Sequence, residues 1–157
     1  MVALPGTTAS PGLLYRIRAG QVGGVILFAR SISSDQQVRA LTGSLQAAAR
    51  AGGNPRLLIA TDQEGGEVKR FTNGPPLSPP LIAASGSTKF AFNEGWQIGR
   101  YLRARGINME LAPVVDVPTS SAAFIWREGR AFSFNASVVA KYATSFALGV
   151  QAAGAVA

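Results

Sequence analysis

Two patterns alternate along the chain. "GGVILFA" (23–29) is a continuous apolar run, as expected of a strand buried on both faces. It gives way to "SSDQQVRALTGSLQAAARAGG", where Val38, Leu41, Leu45 and Ala48 recur at helical spacing. Ser33 or Ser34 can cap that helix, because a short side-chain oxygen satisfies first-turn amides, and Gly52 can end it. "RLLIATD" (56–62) predicts the next buried strand. "NGPPLSPPLIAASG" is too rich in proline for regular structure and predicts an ordered loop. Helical spacing returns in "STKFAFNEGWQIGRYLRARG", with Ala91, Gly95, Ile98 and Leu102 on one face and Gly106 as its stop. "INMELAPVVDV" (107–117) predicts a strand, with Pro113 marking a bulge or irregular edge. A loop over 118–134 leads to "NASVVAKYATSFALGVQAAG", where Val139, Tyr142, Phe146 and Val150 share a face. "MVALPG" reads as a first strand and the closing "AVA" as the start of a further one.

Alternating strand and helix imply parallel strands joined by right-handed crossovers. A doubly wound sheet and a (β/α)8 barrel both have that alternation, but no G-x-G-x-x-G opens a helix here, which weakens the dinucleotide-binding alternative. A complete barrel takes roughly 250 residues and this chain shows about five strand starts. The fold class expected is therefore α/β, the N-terminal portion, about half, of a TIM barrel, with residues 1–157 as one partial domain. The apolar end at Ala157 fits an incomplete chain.

Composition narrows the chemistry. Cysteine and histidine are both absent, so acid/base work within this chain falls to Asp, Glu, Lys or Tyr, and disulfides are excluded. A net charge of +7 suggests a phosphate-bearing partner, yet the bases are scattered from Arg16 and Arg18 through Arg56 to Arg127 and Lys141. The nearest cluster, Arg100, Arg103 and Arg105, closes a helix, where cations suit the dipole. No nucleic-acid partner is expected. No apolar run reaches membrane-spanning length, so no membrane partner is expected either. "MVALPGTTASPG" lacks the pattern of a signal peptide, which favours the cytoplasm. Oligomeric state is not legible.

In either α/β architecture the functional face lies at the carboxyl ends of the strands. The charges placed there are Arg30 after "ILFA", Asp62 after "LLIAT" and Asp116 after "LAPVV". Arg30 reads as the polar stop that any buried strand needs. Asp62 opens "DQEGGEVKR", where Gly65 and Gly66 permit a sharp turn and leave room beside the carboxylate. Arg70 lies roughly one or two helical turns further on, able to point back over the same mouth. A carboxylate that accepts two hydroxyls and a guanidinium that donates in a fork suit a vicinal diol or a sugar ring. The alternative is a turn capped by Asp62, with Arg70 paired to Glu67 on the surface. Asp116 reads more as a buried scaffold carboxylate bonding loop amides than as a ligand contact. Arg130, in "REGRAF", either reaches the mouth or is a solvated charge.

In this order and spacing, "GGVILFARSI", "ATDQEGGEVKRF", "INMELAPVVDV" and "GRAF" resemble the N-terminal barrel of family 3 glycoside hydrolases, from Val2 to Ala157. The "DQEGG-x-V-x-R" form looks like the β-N-acetylglucosaminidase branch. The resemblance implies a retaining β-N-acetylhexosaminidase that needs no cofactor or metal. Its substrate would be an N-acetylglucosamine-containing carbohydrate, in glycans or peptidoglycan fragments. It further implies that Asp62, Arg70 and Arg130 contact the sugar. The sequence departs from the family at Glu67, where Arg is frequent, and at "RAFS" (130–133), which stands for "R-S-F-G". The family's "K-H-F-P-G-H-G" segment, its His acid/base with an Asp partner and its nucleophilic Asp are all expected beyond Ala157. On that expectation the isolated chain is inactive and folds poorly. The competing expectation is a noncatalytic sugar-binding or regulatory remnant, which a genuine stop after codon 157 would favour. A parent enzyme that uses phosphate as acceptor is a third.

Overall fold

Short apolar runs flanked by amphipathic helices can satisfy their backbones only by pairing side by side, and here they do so in parallel. The computed structural model describes residues 1–75 and 77–157. The first elements are β1 (Val2–Ala3), α1 (Pro11–Arg18), β2 (Gly24–Leu27), α2 (Asp35–Ala51) and β3 (Leu58–Thr61). A hairpin of β4 (Gln63–Gly65) and β5 (Val68–Lys69) follows, then α3 (Pro79–Ala84), α4 (Thr88–Arg103), β6 (Met109–Glu110), α5 (Phe124–Arg127) and α6 (Ala136–Ala152). The main sheet runs β1-β2-β3-β6, every pair parallel. Val156 bridges to Met109 in parallel, so the closing "AVA" does begin to pair as the alternation predicts. Four neighbouring parallel strands in chain order, joined through helices, are the arrangement of half an eight-stranded barrel.

The register sorts the side chains. Ala3, Ile26, Ala60 and Met109 form one row across the sheet, and Leu27, Thr61 and Glu110 form the next. Val25, Leu27, Ile59 and Thr61 are fully buried, whereas Leu58, on the other face of β3, is 39% exposed. Val25, Leu27 and Ile59 pack with Ile17, Val38, Leu45, Ile98, Leu102, Phe146 and Val150 in the main core. Two amides satisfy the polar backbone inside it. Gln46 accepts from Leu57 N and donates to Leu57 O, at 3.1 and 2.8 Å. Asn108 accepts from Ile59 N at 2.7 Å and donates to Leu57 O at 3.0 Å, fixing β6 against β3.

The predicted caps of α2 form: Ser34 accepts from Gln37 N at 3.1 Å and Gly52 closes the last turn. Two expectations need correction, and one element was missed. The proline-rich stretch is not all loop, because Pro79 and Pro80 stand in the first turn of α3, where a missing N–H costs nothing, and Ile82 is buried below. The strand expected over 107–117 pairs with β3 only at Met109–Glu110, with flanking bonds from Asn108 N to Ile59 O and from Leu111 N to Thr61 O; Pro113 has no N–H to carry the ladder onward. Helix α1 went unread: its "PG" start looks like a turn, and it buries only Ile17.

α4 and α6 cross backbone to backbone. A Cβ on Gly95 would stand 2.0 Å from Phe146 O, and one on Gly149 would stand 2.0 Å from Phe92 O. Gly149→Ala is therefore expected to cost about 1–3 kcal/mol by forcing the helices apart. The measurement is thermal unfolding, with Gly43→Ala in α2, where nothing lies within 4 Å, as the harmless control. Equal midpoints for the two variants would refute the crossing.

Candidate functional site

At the carboxyl end of β3 the chain changes direction sharply. Thr61 is buried, its hydroxyl donating to Leu27 O at 2.9 Å, and Asp62 is the first residue past the sheet. The expectation that Arg70 returns by helical turns is wrong. The chain reverses through the β4–β5 hairpin, and Arg70 N donates to Asp62 O at 3.2 Å. Gly65 and Gly66 make the reversal possible with φ of 89° and 57°, in the left-handed region that side chains resist. A Cβ on Gly65 would also lie 1.9 Å from Leu77 O, so the hairpin tip is seated on the segment leading into α3.

Gln63 is the pivot of the hairpin. It is fully buried, its Oε1 accepting from Arg70 N at 3.0 Å and Phe71 N at 2.9 Å, its Nε2 donating to Phe71 O at 3.0 Å. These bonds replace ladder bonds lost where the hairpin register shifts. On one side of the pivot, Arg70 donates to Asp62 Oδ2 from Nε at 3.0 Å and from Nη2 at 2.6 Å. On the other, Arg130 grips Glu64 in a fork, Nε to Oε2 at 2.8 Å and Nη2 to Oε1 at 2.7 Å. The bond to Glu64 raises the Arg130 pKa above its ordinary value. α5 and Gly129 aim Arg130 back toward the sheet, with Arg130 N on Ile125 O at 3.1 Å. The carboxylates are the more sheltered partners, Asp62 at 16% and Glu64 at 3% side-chain exposure.

The three residues expected at the mouth thus meet there, Arg70 on Asp62 and Arg130 two residues along on Glu64. Arg70 does not pair with Glu67. Arg30 is exposed, as a strand terminus would be; its Nε donates to Leu4 O at 3.3 Å, and its guanidinium and that of Arg70 lie 5.4 and 5.7 Å from the Phe28 ring. Asp116 is not the buried strand-end carboxylate expected. It is exposed, beyond the end of β6, because the strand has already stopped.

Sequence reading missed Gln63, Glu64 and Glu110. Glu110 is fully buried, and its Oε1 accepts from Gln63 N at 2.7 Å. Burial pushes its carboxyl up to about 8, with Asp62 and Glu64 adding to the rise and the Gln63 N–H and Arg70 opposing it. The available signal was an acid at a core position of an apolar strand.

A depression of about 500 Å³ lies beside Arg70, bordered by Ile32, Asp35, Phe71 and Tyr101. A larger apolar groove, about 740 Å³, runs between the segment after β6 and α6; it includes neither ion pair. Among the described residues, no group of three or more Asp, Glu, His or Cys side chains is placed to hold a metal. Among them, too, no helix is long and apolar enough to cross a membrane.

Residues 13–157 match the family model described as the glycosyl hydrolase family 3 N terminal domain. A beta-hexosaminidase of Xylella fastidiosa (strain M12) is 36% identical over 163 residues, covering 98% of this chain and 46% of the relative. A family 3 β-N-acetylglucosaminidase from Paenibacillus sp. str. FPU-7 superposes with a TM-score of 0.90 at 34% identity, over 99% of this chain and 30% of that one. NagZ from Neisseria gonorrhoeae, solved with N-trifluoroacetyl-D-glucosamine, superposes with a TM-score of 0.86 at 26% identity, over 98% of this chain and 46% of that one. The chain spans about half the length of the curated relatives it matches.

Proposed function

Since the chain belongs to glycosyl hydrolase family 3, within that family's N-terminal domain, we propose that its polypeptide is a retaining β-N-acetylhexosaminidase. It removes terminal N-acetylglucosamine from glycans or peptidoglycan fragments, and residues 1–157 form part of its catalytic domain. One observation carries this reading: two arginine–carboxylate pairs set side by side at the carboxyl end of a parallel sheet, on either side of Gln63. Asp62 offers lone pairs to sugar hydroxyls, while Arg70 and Arg130 are donors held at fixed angles, a wall matched to a ring of vicinal hydroxyls. The Neisseria relative, solved with an N-acylated glucosamine, supports the sugar class.

Retaining hydrolysis also needs a nucleophilic carboxylate and a proton donor on opposite sides of the glycosidic bond. In this reading both come from the part of the polypeptide that follows Ala157, and the wall described here binds and orients.

The test is turnover by the full-length polypeptide of a chromogenic N-acetyl-β-glucosaminide against the matching β-glucoside, with and without phosphate. Hydrolysis of the first, unaccelerated by phosphate, is the expected result. Equal turnover of both sugars, or dependence on phosphate, would refute it. Arg70→Lys keeps the charge and loses the fork on Asp62, and is expected to raise KM about tenfold with a smaller change in kcat.

A further inference from the structure

Arg105 does more than close a helix. It stands just past α4, buried, and its guanidinium forks onto Asp35, the first residue of α2, with Nε on Oδ1 at 2.8 Å and Nη2 on Oδ2. Nη1 donates to Tyr101 O at 2.7 Å, and the same group lies 3.4 Å from the centre of the Tyr101 ring. Every nitrogen of the guanidinium is in use. The result is a crossbar between the amino end of α2 and the carboxyl end of α4. α2 leads into β3 and α4 into β6, and β3 has a paired neighbour on both edges, so the crossbar sits away from either open edge of the sheet.

The crossbar meets the sugar wall at Phe71. That ring stands edge-on to Tyr101, centres 5.6 Å apart, and the Arg105 guanidinium is also 5.6 Å from its centre. The contact matters because β5 has only two residues, and so short a ribbon does not hold its place by its own ladder. Val68, Lys69 and Arg70 are all part-exposed, and Phe71 is the first buried side chain on the returning arm. Gln63 fixes the Phe71 backbone, but the ring is what docks that arm on the helices. Arg70 is the residue before it, and the depression beside Arg70 is bordered by Asp35, Phe71 and Tyr101 as well.

We propose that Arg105 is a positioning residue for Arg70: held by Asp35 and stacked on Tyr101, it seats the Phe71 ring and so sets where the Arg70 guanidinium stands against a bound sugar. This rests on the sugar-binding reading above.

The experiment uses the full-length polypeptide and a chromogenic N-acetyl-β-glucosaminide. Arg105→Met is expected to raise KM about fivefold, with kcat within about twofold of wild type. A double-mutant cycle separates positioning from a general loosening of the fold. Added to Arg70→Lys, Arg105→Met is expected to cost less than about twofold more in kcat/KM; added to Arg130→Lys, it is expected to keep its full effect. A full effect in both backgrounds overturns the proposal. Arg105→Lys keeps the charge and loses the fork and the flat stacked group, so it is expected to retain most of the KM defect. Full recovery with Lys would assign the effect to charge and overturn the proposal too. Where Arg105→Met fails to fold, Arg105→Lys takes its place in the cycle. The Arg70 Nε–H signal in NMR, identified by its loss in Arg70→Lys, gives a readout that needs no sugar. It is expected to shift and to exchange faster with solvent in the Arg105 variants, and an unchanged signal overturns the proposal. If Arg70→Lys turns over the glycoside as well as the wild type does, the sugar wall is refuted, while the Nε–H signal still decides the positioning by itself.

Discussion

Asp62→Ala in the full-length polypeptide is expected to lower kcat/KM for an N-acetylglucosaminide by roughly 30- to 1,000-fold, about 2–4 kcal/mol of transition-state binding. Two losses combine. In the proposed sugar-binding reading, the substrate hydroxyls that Asp62 would accept from are left without an acceptor in a partly desolvated site. Arg70 also loses the oxygen that takes both of its bonds, Oδ2 at 3.0 and 2.6 Å, and with it the constraint that aims the guanidinium. Arg30→Ala is the comparison. Arg30 is exposed and tied by one 3.3 Å bond to Leu4 O, so its loss is expected to change kcat/KM little. Equal and small effects from the two variants would mean that the wall assignment is wrong.

Glu64→Ala is expected to have the largest effect on stability, about 3 kcal/mol, at the lower end of the range for breaking a buried ion pair. The lower end applies because Arg130 keeps 24% side-chain exposure and can recover some hydration. Both oxygens of Glu64 are used by the fork, so the alanine variant leaves a mostly buried guanidinium with no partner. Glu64→Gln retains one acceptor and should fall between wild type and Glu64→Ala. Denaturant unfolding of the three proteins gives the order directly. A loss below about 1 kcal/mol for Glu64→Ala would place the pair with solvated surface bridges.

Period and capping made most of the scaffold legible. The faces read from Val38, Leu41, Leu45 and Ala48, and from Val139, Tyr142, Phe146 and Val150, are the buried ones. Such faces recur every three or four positions over many residues, so single exceptions do not hide them. α1 and α3 were lost for the opposite reason: each begins with proline and buries one or two residues, too few to set a period. At the mouth, Asp62 was legible as a charge where an apolar run ends, and Arg70 as a base able to point back over it, whereas Arg130, a lone Arg in a loop, was singled out by the family resemblance. The partner of Arg130 was not, because Glu64 sits in a hairpin that "QEGGEV" does not announce, a two-strand ribbon of mostly polar residues. Glu110 was passed over because its neighbours made the segment look like an ordinary strand, and one acid among apolar residues says nothing of the amide it meets across the sheet.

Where α4 and α6 cross at Gly95 and Gly149, the helices touch with no layer of side chains between them. Two surfaces joined through interlocking side chains can slide and repack by rotamer changes; two main chains in contact cannot. Either both helices stay docked on the sheet or both leave together. That makes the second half of the chain a single opening unit, which includes Asn108 and β6, and through Glu110 it holds the Gln63 turn. α1 buries only Ile17 fully, with Leu13 and Leu14 at the edge of the core and Asn54 on its last carbonyls, and it is expected to fray first. Under stress the amino-terminal helix is therefore expected to open before this unit, and the Gln63 turn, held by Glu110 from β6, to open with the unit.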